Sequence, residues 1–316
     1  MAGFSVSTNE HLIRSNVWTT QLKEALEDEL IAQRWVQMLT DFPDGDTWNM
    51  PSIGQMTAYN FVEGDAIQYT AMDTGNLTFT ITDYMASATY LTEKMKQDSY
   101  IMSQVQSEFV PKQHRALMKN LEAKILALGN DAQTASSLNT INNGDHRFVG
   151  SGTNEVIAVK DFQRARYALQ KANVPMENLI AIVDPSVEYE LATLTNLVNL
   201  SNNKMWEGVV REGASNGLQF RFNILGWDLY ISGNLKSGIA ETVDSVTTTA
   251  GVANTLFSAS PDVLPFMGAI RQPPKVDSEY NKDLQRDEYV TTMRYGLKVK
   301  RPENVVVILT DNDQVS

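Results

Sequence analysis

The sequence predicts an α+β fold, and three observations lead there. A long segment, Gln97 to Leu128, repeats apolar residues at three- to four-residue intervals, the signature of a helix. A second segment alternates strictly, with Leu77, Phe79 and Ile81 on one face and Thr78, Thr80 and Thr82 on the other, as a strand does. After a stretch rich in Ser, Thr, Asn and Gly (Thr134 to Asn154), short helical and strand-like runs follow one another. With 316 residues, of which 42% are hydrophobic, the chain can bury a sizeable core.

Taken in order, Trp18 to Leu39 reads as a helix, with Trp18, Leu22, Ala25, Leu26, Leu30 and Trp35 near a 3.6 period. It ends in the turn formers Asp41-Phe42-Pro43-Asp44-Gly45-Asp46. A strand-like piece, Trp48 to Gly54, leads into a two-armed segment from Gln55 to Ala88, with Asp73-Thr74-Gly75-Asn76 as its turn. Two arms of about 15 residues at roughly 3.3 Å each would reach about 50 Å from the body. The long helix after it would run roughly 45 to 50 Å. Pro111 is expected to kink it or to start a second helix, and Gly129-Asn130 to stop it. Farther on, Lys160 to Asn173 is helical, and Leu179 to Val183 is a fully apolar strand. Asp184-Pro185-Ser186 opens a helix, because proline suits a first turn. Leu218 to Ile224 and Trp227 to Ile231 alternate as an antiparallel pair around Gly226. Thr242 to Thr255 reads as an exposed hairpin tip. Strand-like runs around Val263 to Ile270, Tyr289 to Lys300 and Val305 to Thr310 are expected to pack on the long helix.

Composition excludes whole classes of function. There is no cysteine, hence no disulfide frame, thiol nucleophile or thiolate metal site, which fits a reducing compartment. Met1 to Asn16 is largely polar and lacks the apolar run of a signal peptide, and no stretch of 18 apolar residues offers a membrane span. The net charge of -12 opposes a sequence-specific DNA binder, which needs the reverse balance. The charge is uneven: from Trp35 to Glu93 there is no Lys or Arg, while Asp41, Asp44, Asp46, Glu63, Asp65, Asp73, Asp83 and Glu93 fall within that span. Such carboxylates repel one another unless they are solvated or met by bases from elsewhere.

No catalytic constellation emerges. Gly213-Ala214-Ser215-Asn216-Gly217 matches the nucleophile-elbow pattern, but a strand follows it rather than a helix, and His11, His114 and His146 all precede it. A glycine-rich turn explains the match. The histidines are too scattered for a zinc site. Asp41, Asp44 and Asp46 lack the frame of a calcium loop, and Gly150-Ser151-Gly152 lacks the third glycine of a dinucleotide fingerprint. Neither a cofactor nor a metal is expected.

The order of elements, together with Thr47-Trp48-Asn49-Met50-Pro51-Ser52-Ile53-Gly54, Ile180 to Ser186, Leu225 to Leu235 and Tyr295-Gly296-Leu297-Lys298-Val299-Lys300-Arg301-Pro302-Glu303, resembles the major capsid proteins of tailed bacteriophages, the Hong Kong 97-type fold. The resemblance implies an N-arm (1–46), an extended hairpin or E-loop (47–90), a peripheral domain carrying the spine helix (91–154 and 261–316) and an axial domain (155–260). It implies a non-enzymatic shell subunit of the virion, assembled in the host bacterial cytoplasm through hexamers and pentamers of itself, without a membrane. The shell would enclose double-stranded DNA without sequence-specific binding. Further partners so implied are a portal protein, a cement protein and, since the N-arm starts almost at Met1, a separate scaffolding protein. The type member crosslinks through a hairpin lysine, and residues 47–90 here contain none, so isopeptide crosslinks are not expected. Expected inter-subunit contacts are Asp65, Asp73, Phe79, Ile81 and Tyr84 on the hairpin. Opposite them stand Lys112, Arg115 and Lys119 on the spine helix and Arg271, Lys275, Lys282 and Arg286 in the tail. The alternatives are an encapsulin-type nanocompartment and, from another class, a soluble cytosolic hydrolase using carboxylates.

Overall fold

The computed structural model describes residues 30–39, 47–54, 58–60, 63–64, 66–67, 74–98, 102–133, 139–193 and 220–311. Two sheets and one long helix organise them. The first sheet has four strands: β1 (Val36–Met38), β4 (Asp83–Thr92), β13 (Phe266–Asn281) and β14 (Arg286–Val299), in the order β1-β13-β14-β4. The second has seven: β7 (Arg147–Val149), β8 (Leu179–Val183), β9 (Phe220–Ile224), β10 (Trp227–Ile231), β11 (Ile239–Val243), β12 (Val246–Ser258) and β15 (Val305–Asp311). Its path is β7-β15-β12-β8-β10-β9, with β11 paired to β12. Two short ladders stand apart, β2 (Thr47–Ile53) with β3 (Thr74–Thr80), and β5 (Thr140–Ile141) with β6 (Gly144–Asp145).

Helix α1 (Glu93–Asp98) precedes the spine helix α2 (Met102–Asp131). Leu117, Leu121 and Ile125 are buried at four-residue spacing, in one core cluster with Met293 and Tyr295 of β14. Gln113 continues that stripe and is also buried; it donates to the Tyr289 carbonyl at 3.0 Å and accepts from the Thr291 hydroxyl at 2.8 Å. The tail strand thus packs on the long helix as expected.

The same cluster takes Ile180 and Ile182 of β8, Phe257 of β12, and Val305, Val307 and Leu309 of β15. The alternate residues Leu179, Ala181, Val183, Val306 and Ile308 face a second cluster with Phe162, Ala165 and Leu169 of α3 (Val159–Lys171). A strand buried on both faces must be apolar throughout, which is why β8 and β15 read as unbroken Val/Ile/Leu runs. Each such side chain contributes roughly 1.5–3 kcal/mol on full burial. Helix α4 (Pro185–Thr193) opens as the sequence suggests: the Asp184 carboxylate accepts from the Ser186 amide at 3.0 Å and its hydroxyl at 2.6 Å.

Several expectations are corrected. The helix expected to reach Leu39 is, within the described residues, a 3-10 turn at Ala32–Trp35 followed by strand β1 parallel to β13. Tertiary pairing of Val36 with Phe266 overrides the local period. Thr74, Gly75 and Asn76 are not a turn but the start of β3, opposite Ile53, Ser52 and Pro51. Gly75 serves close approach instead, since a Cβ there would meet the Ser52 hydroxyl oxygen at 2.6 Å. Pro111 lies inside α2 and does not start a second helix. The loop at Thr134 to Asn154 carries β5, β6 and β7. The tip expected at Thr242 to Thr255 narrows to Asp244 and Ser245, both at positive φ, while Val252 to Ser258 is buried sheet. Strands β13 and β14 run on as far as Asn281 and Arg286, well beyond their apolar portions. Strand β15, adjoining the peripheral run in sequence, is hydrogen-bonded beside β12 in the larger sheet. The Ser215 motif lies outside the described residues.

Candidate assembly surface

The arm formed by β2 and β3 is a two-stranded ladder from Thr47↔Thr80 to Ile53↔Thr74. Its root is fastened to the four-stranded sheet. Phe79 is fully buried and Ile81 nearly so, packed with Met267 and Ala269. Gly296 makes room for them: a Cβ there would stand 2.9 Å from the Ile81 Cα. The Lys298 ammonium donates to the Thr78 carbonyl at 2.5 Å. Phe79 and Ile81, expected to touch a neighbour, are therefore spent inside their own chain, which corrects that assignment. Tyr84 is 64% exposed. Asp65 and Asp73 lie outside the described residues.

The expected basic partners divide by environment. Lys112 and Lys119 are exposed on α2, and Arg115 is half-buried. Arg271, Lys275 and Lys282 are exposed on β13 and the turn after it. Lys275 pairs with Asp277 at 2.9 Å, and this bond raises its pKa. Arg286 donates to Glu288 at 2.7 Å, which holds that carboxyl below its usual range, and its guanidinium lies over the Tyr90 ring at 4.5 Å. The base-free segment also draws on its own chain. Lys124 of α2 pairs with Asp83, and Lys96 of α1 pairs with Glu93 at 3.2 Å and with Asp287. Asp83 and Glu93 are thus met by bases from elsewhere in their own chain.

Two buried charges hold this surface in place, and pattern reading finds neither. Glu122, 2% exposed, accepts from the Ile31 and Ala32 amides at 2.9 Å and so caps the 3-10 turn at the root of the N-terminal segment. Burial raises its pKa, and the backbone donors pull it back. Arg147, 3% exposed, donates to the Asn130 and Gln133 carbonyls at 3.2 and 2.9 Å, to the Asn130 side chain at 3.0 Å, and to Glu241 at 2.6 Å. It ties the C-terminal end of α2 to the seven-stranded sheet. The available signal was weak: a glutamate beside Leu121 on an apolar stripe, and an arginine in a Ser/Asn/Gly-rich stretch.

Among the described residues no group of His, Cys, Asp and Glu could hold a metal ion. A narrow crevice is lined by Ala32, Trp35, Ile125, Leu126, Gly129, Ile182, Thr255, Phe257 and Phe266, an apolar packing seam rather than a reaction site.

Comparison with known proteins agrees with the geometry. The fold matches a solved structure of Mycobacterium phage Che8 at a TM-score of 0.70 and 17% identity, covering 94% of this chain and 97% of that one. It matches the capsid of cyanophage P-SCSP1u at 0.70 and 15%, covering 97% and 94%, and the capsid asymmetric unit of cyanophage Pam1 at 0.69 and 16%, covering 99% and 100%. At these identities the likeness is one of fold, the α+β fold of tailed-phage capsids. No curated protein sequence matches. Residues 75–308, well over half of the chain, match the family described as phage capsid protein. The chain belongs to that family: it is a structural protein of the virion capsid and not an enzyme.

Proposed function

We propose that the chain is the major capsid protein of a tailed phage, building the icosahedral head through hexamers and pentamers around double-stranded DNA, without isopeptide crosslinks. The observation that carries this is the arm. Among the described residues, strands β2 and β3 pair with no third strand, are fastened to the body at the root around Phe79, Ile81 and the Thr78 carbonyl, and expose Thr47, Asn49, Pro51, Ser52 and Thr74 to Asn76. A lone two-stranded hairpin is marginal in water, so this one needs a neighbour to lie on. The lysine-free sequence of residues 47–90 leaves noncovalent docking.

In this reading residues 1–46 are the N-arm, 47–90 the E-loop, 91–154 with 261–316 the peripheral domain and 155–260 the axial domain. Asp65, Asp73 and Tyr84 of one copy meet Lys112, Arg115 and Lys119, or Arg271, Lys275 and Lys282, of the next. Each exposed pair adds about 0 to 1 kcal/mol, so stability comes from many copies. A scaffolding protein and a portal protein belong to the same picture, a cement protein optionally. The net charge of -12 keeps the wall from gripping the genome. The test is to express the chain with a candidate scaffold and examine it by electron microscopy. Closed particles whose subunits run as monomers on a denaturing gel are expected. A stable monomer, or a covalent ladder, would overturn the assembly or the noncovalent part respectively. Reversing the charge of Asp65 and Asp73 together should lower particle yield; an unchanged yield would remove those residues from the docking.

A further inference from the structure

The four-stranded sheet has two long edges, and the sequence treats them differently. On the outer edge of β13, β1 covers only Phe266 to Gly268. Beyond that come Pro273, Pro274, register irregularities between Ile270 and Lys275, and the charges of Lys275, Asp277 and Glu279. All of these discourage strand addition. The β4 edge has none of these devices. From Tyr84 to Thr92 there is no charge, proline or glycine. The strand pairs with β14 from Asp83 to Thr92 without a register shift and has no second partner strand among the described residues.

Met85 and Leu91 face the core, while Tyr84 (64%), Ala86, Ala88 and Tyr90 (59%) are exposed on the other face. The charges that border the strip are already closed within the chain, as Asp83 with Lys124, Glu93 with Lys96, and Arg286 with Glu288. An incoming strand must therefore be uncharged over the same length and must leave those pairs intact. The strip itself meets that demand. Laid antiparallel about a two-fold axis at Ala88, it sets Ala88 against Ala88, Ala86 against Tyr90 and Tyr84 against Thr92. It also brings Asp83 with Lys124 beside Glu93 of the second copy, which shares Lys96 with Asp287, so every acid at that corner already has a base of its own chain.

We propose that the open edge of β4 pairs antiparallel with the β4 edge of a second copy of this chain, joining two four-stranded sheets across a two-fold axis. The inference rests on the assembly reading above and adds the residues of one contact. The absence of cysteine makes the test clean, because any disulfide reports an introduced pair. Ala88→Cys is exposed, so its folding is not at issue. Oxidised particles of Ala88→Cys should run as covalent dimers. Ala86→Cys alone should stay monomeric and crosslink only when mixed with Tyr90→Cys. Monomers of Ala88→Cys in well-formed particles would overturn the pairing.

A second measurement is independent of disulfide geometry. Ala88→Lys and Ala88→Glu should each weaken association, by about two- to five-fold per contact for like charges opposed across strands. An equal mixture should restore it; failure of the mixture to recover counts against self-pairing. If no closed particles form, the assembly reading fails on its own. The crosslink is then scored on the same chain at high concentration, where dimers support the edge pairing and monomers refute it.

Discussion

Replacing Arg147 by Met should separate the spine helix from the seven-stranded sheet at a single point. The guanidinium is 3% exposed and serves four acceptors, two of them carbonyls at the end of α2. Its partner Glu241 has a side chain only 13% exposed, so removing the cation leaves a carboxylate with little water to replace it. Breaking a buried pair from one side costs about 3–5 kcal/mol. In a chain of this size that corresponds to a fall in Tm on the order of 10 °C. Arg147→Met/Glu241→Gln should recover at least about 1 kcal/mol, because no charge is then stranded. Arg147→Lys should fall in between, since an ammonium reaches Glu241 but cannot fork onto the helix carbonyls. The assay is thermal and urea unfolding of unassembled subunits, followed by far-UV circular dichroism. An Arg147→Met chain within about 1 kcal/mol of the parent would refute the reasoning, and so would a double variant no better than the single one.

Three further outcomes follow from buried groups. Gly129→Ala should destabilise by about 1–3 kcal/mol despite its better helix propensity, because its Cβ would sit 2.7 Å from Thr255 Cγ2; in a Thr255→Ala background the loss should shrink or vanish, as paired unfolding curves will read. Tyr295→Phe should be neutral or stabilising by about 1 kcal/mol, because the buried Tyr295 hydroxyl has no hydrogen-bond partner among the described residues and burial pushes its pKa up to about 12. His146 is buried between the Gly144 and Glu303 carbonyls, and burial lowers its pKa from 6.5. The neutral ring is thus favoured in the fold, and its contribution is fully present above pH 6.5 and lost as pH falls toward the folded pKa. His146→Gln should flatten the stability-versus-pH slope below pH 6.5; an unchanged slope would assign the titration elsewhere.

Local pattern was enough for elements whose neighbours impose a single period. The stripe Leu117, Leu121, Ile125 named a helix and the unbroken run Leu179 to Val183 a fully apolar strand, which the fold buries on both faces. The exposed arm and its missing bases were legible for the same reason, as was the order of elements that pointed to a capsid. Where pairing partners lie far apart in the chain, pattern fell short. Val36 to Met38 became a strand because Phe266 to Gly268 offered an open edge, not because of its own neighbours. Phe79 and Ile81 alternate as any exposed hairpin face could, and only the space above Gly296 turned them inward. Glu122 and Arg147 carry no mark of their burial in the sequence, because a sequence shows that a residue is ionisable but not which distant amides and carbonyls will surround it. Side-chain period follows from backbone geometry, which is local; burial, partner and charge state follow from packing, which belongs to the whole fold.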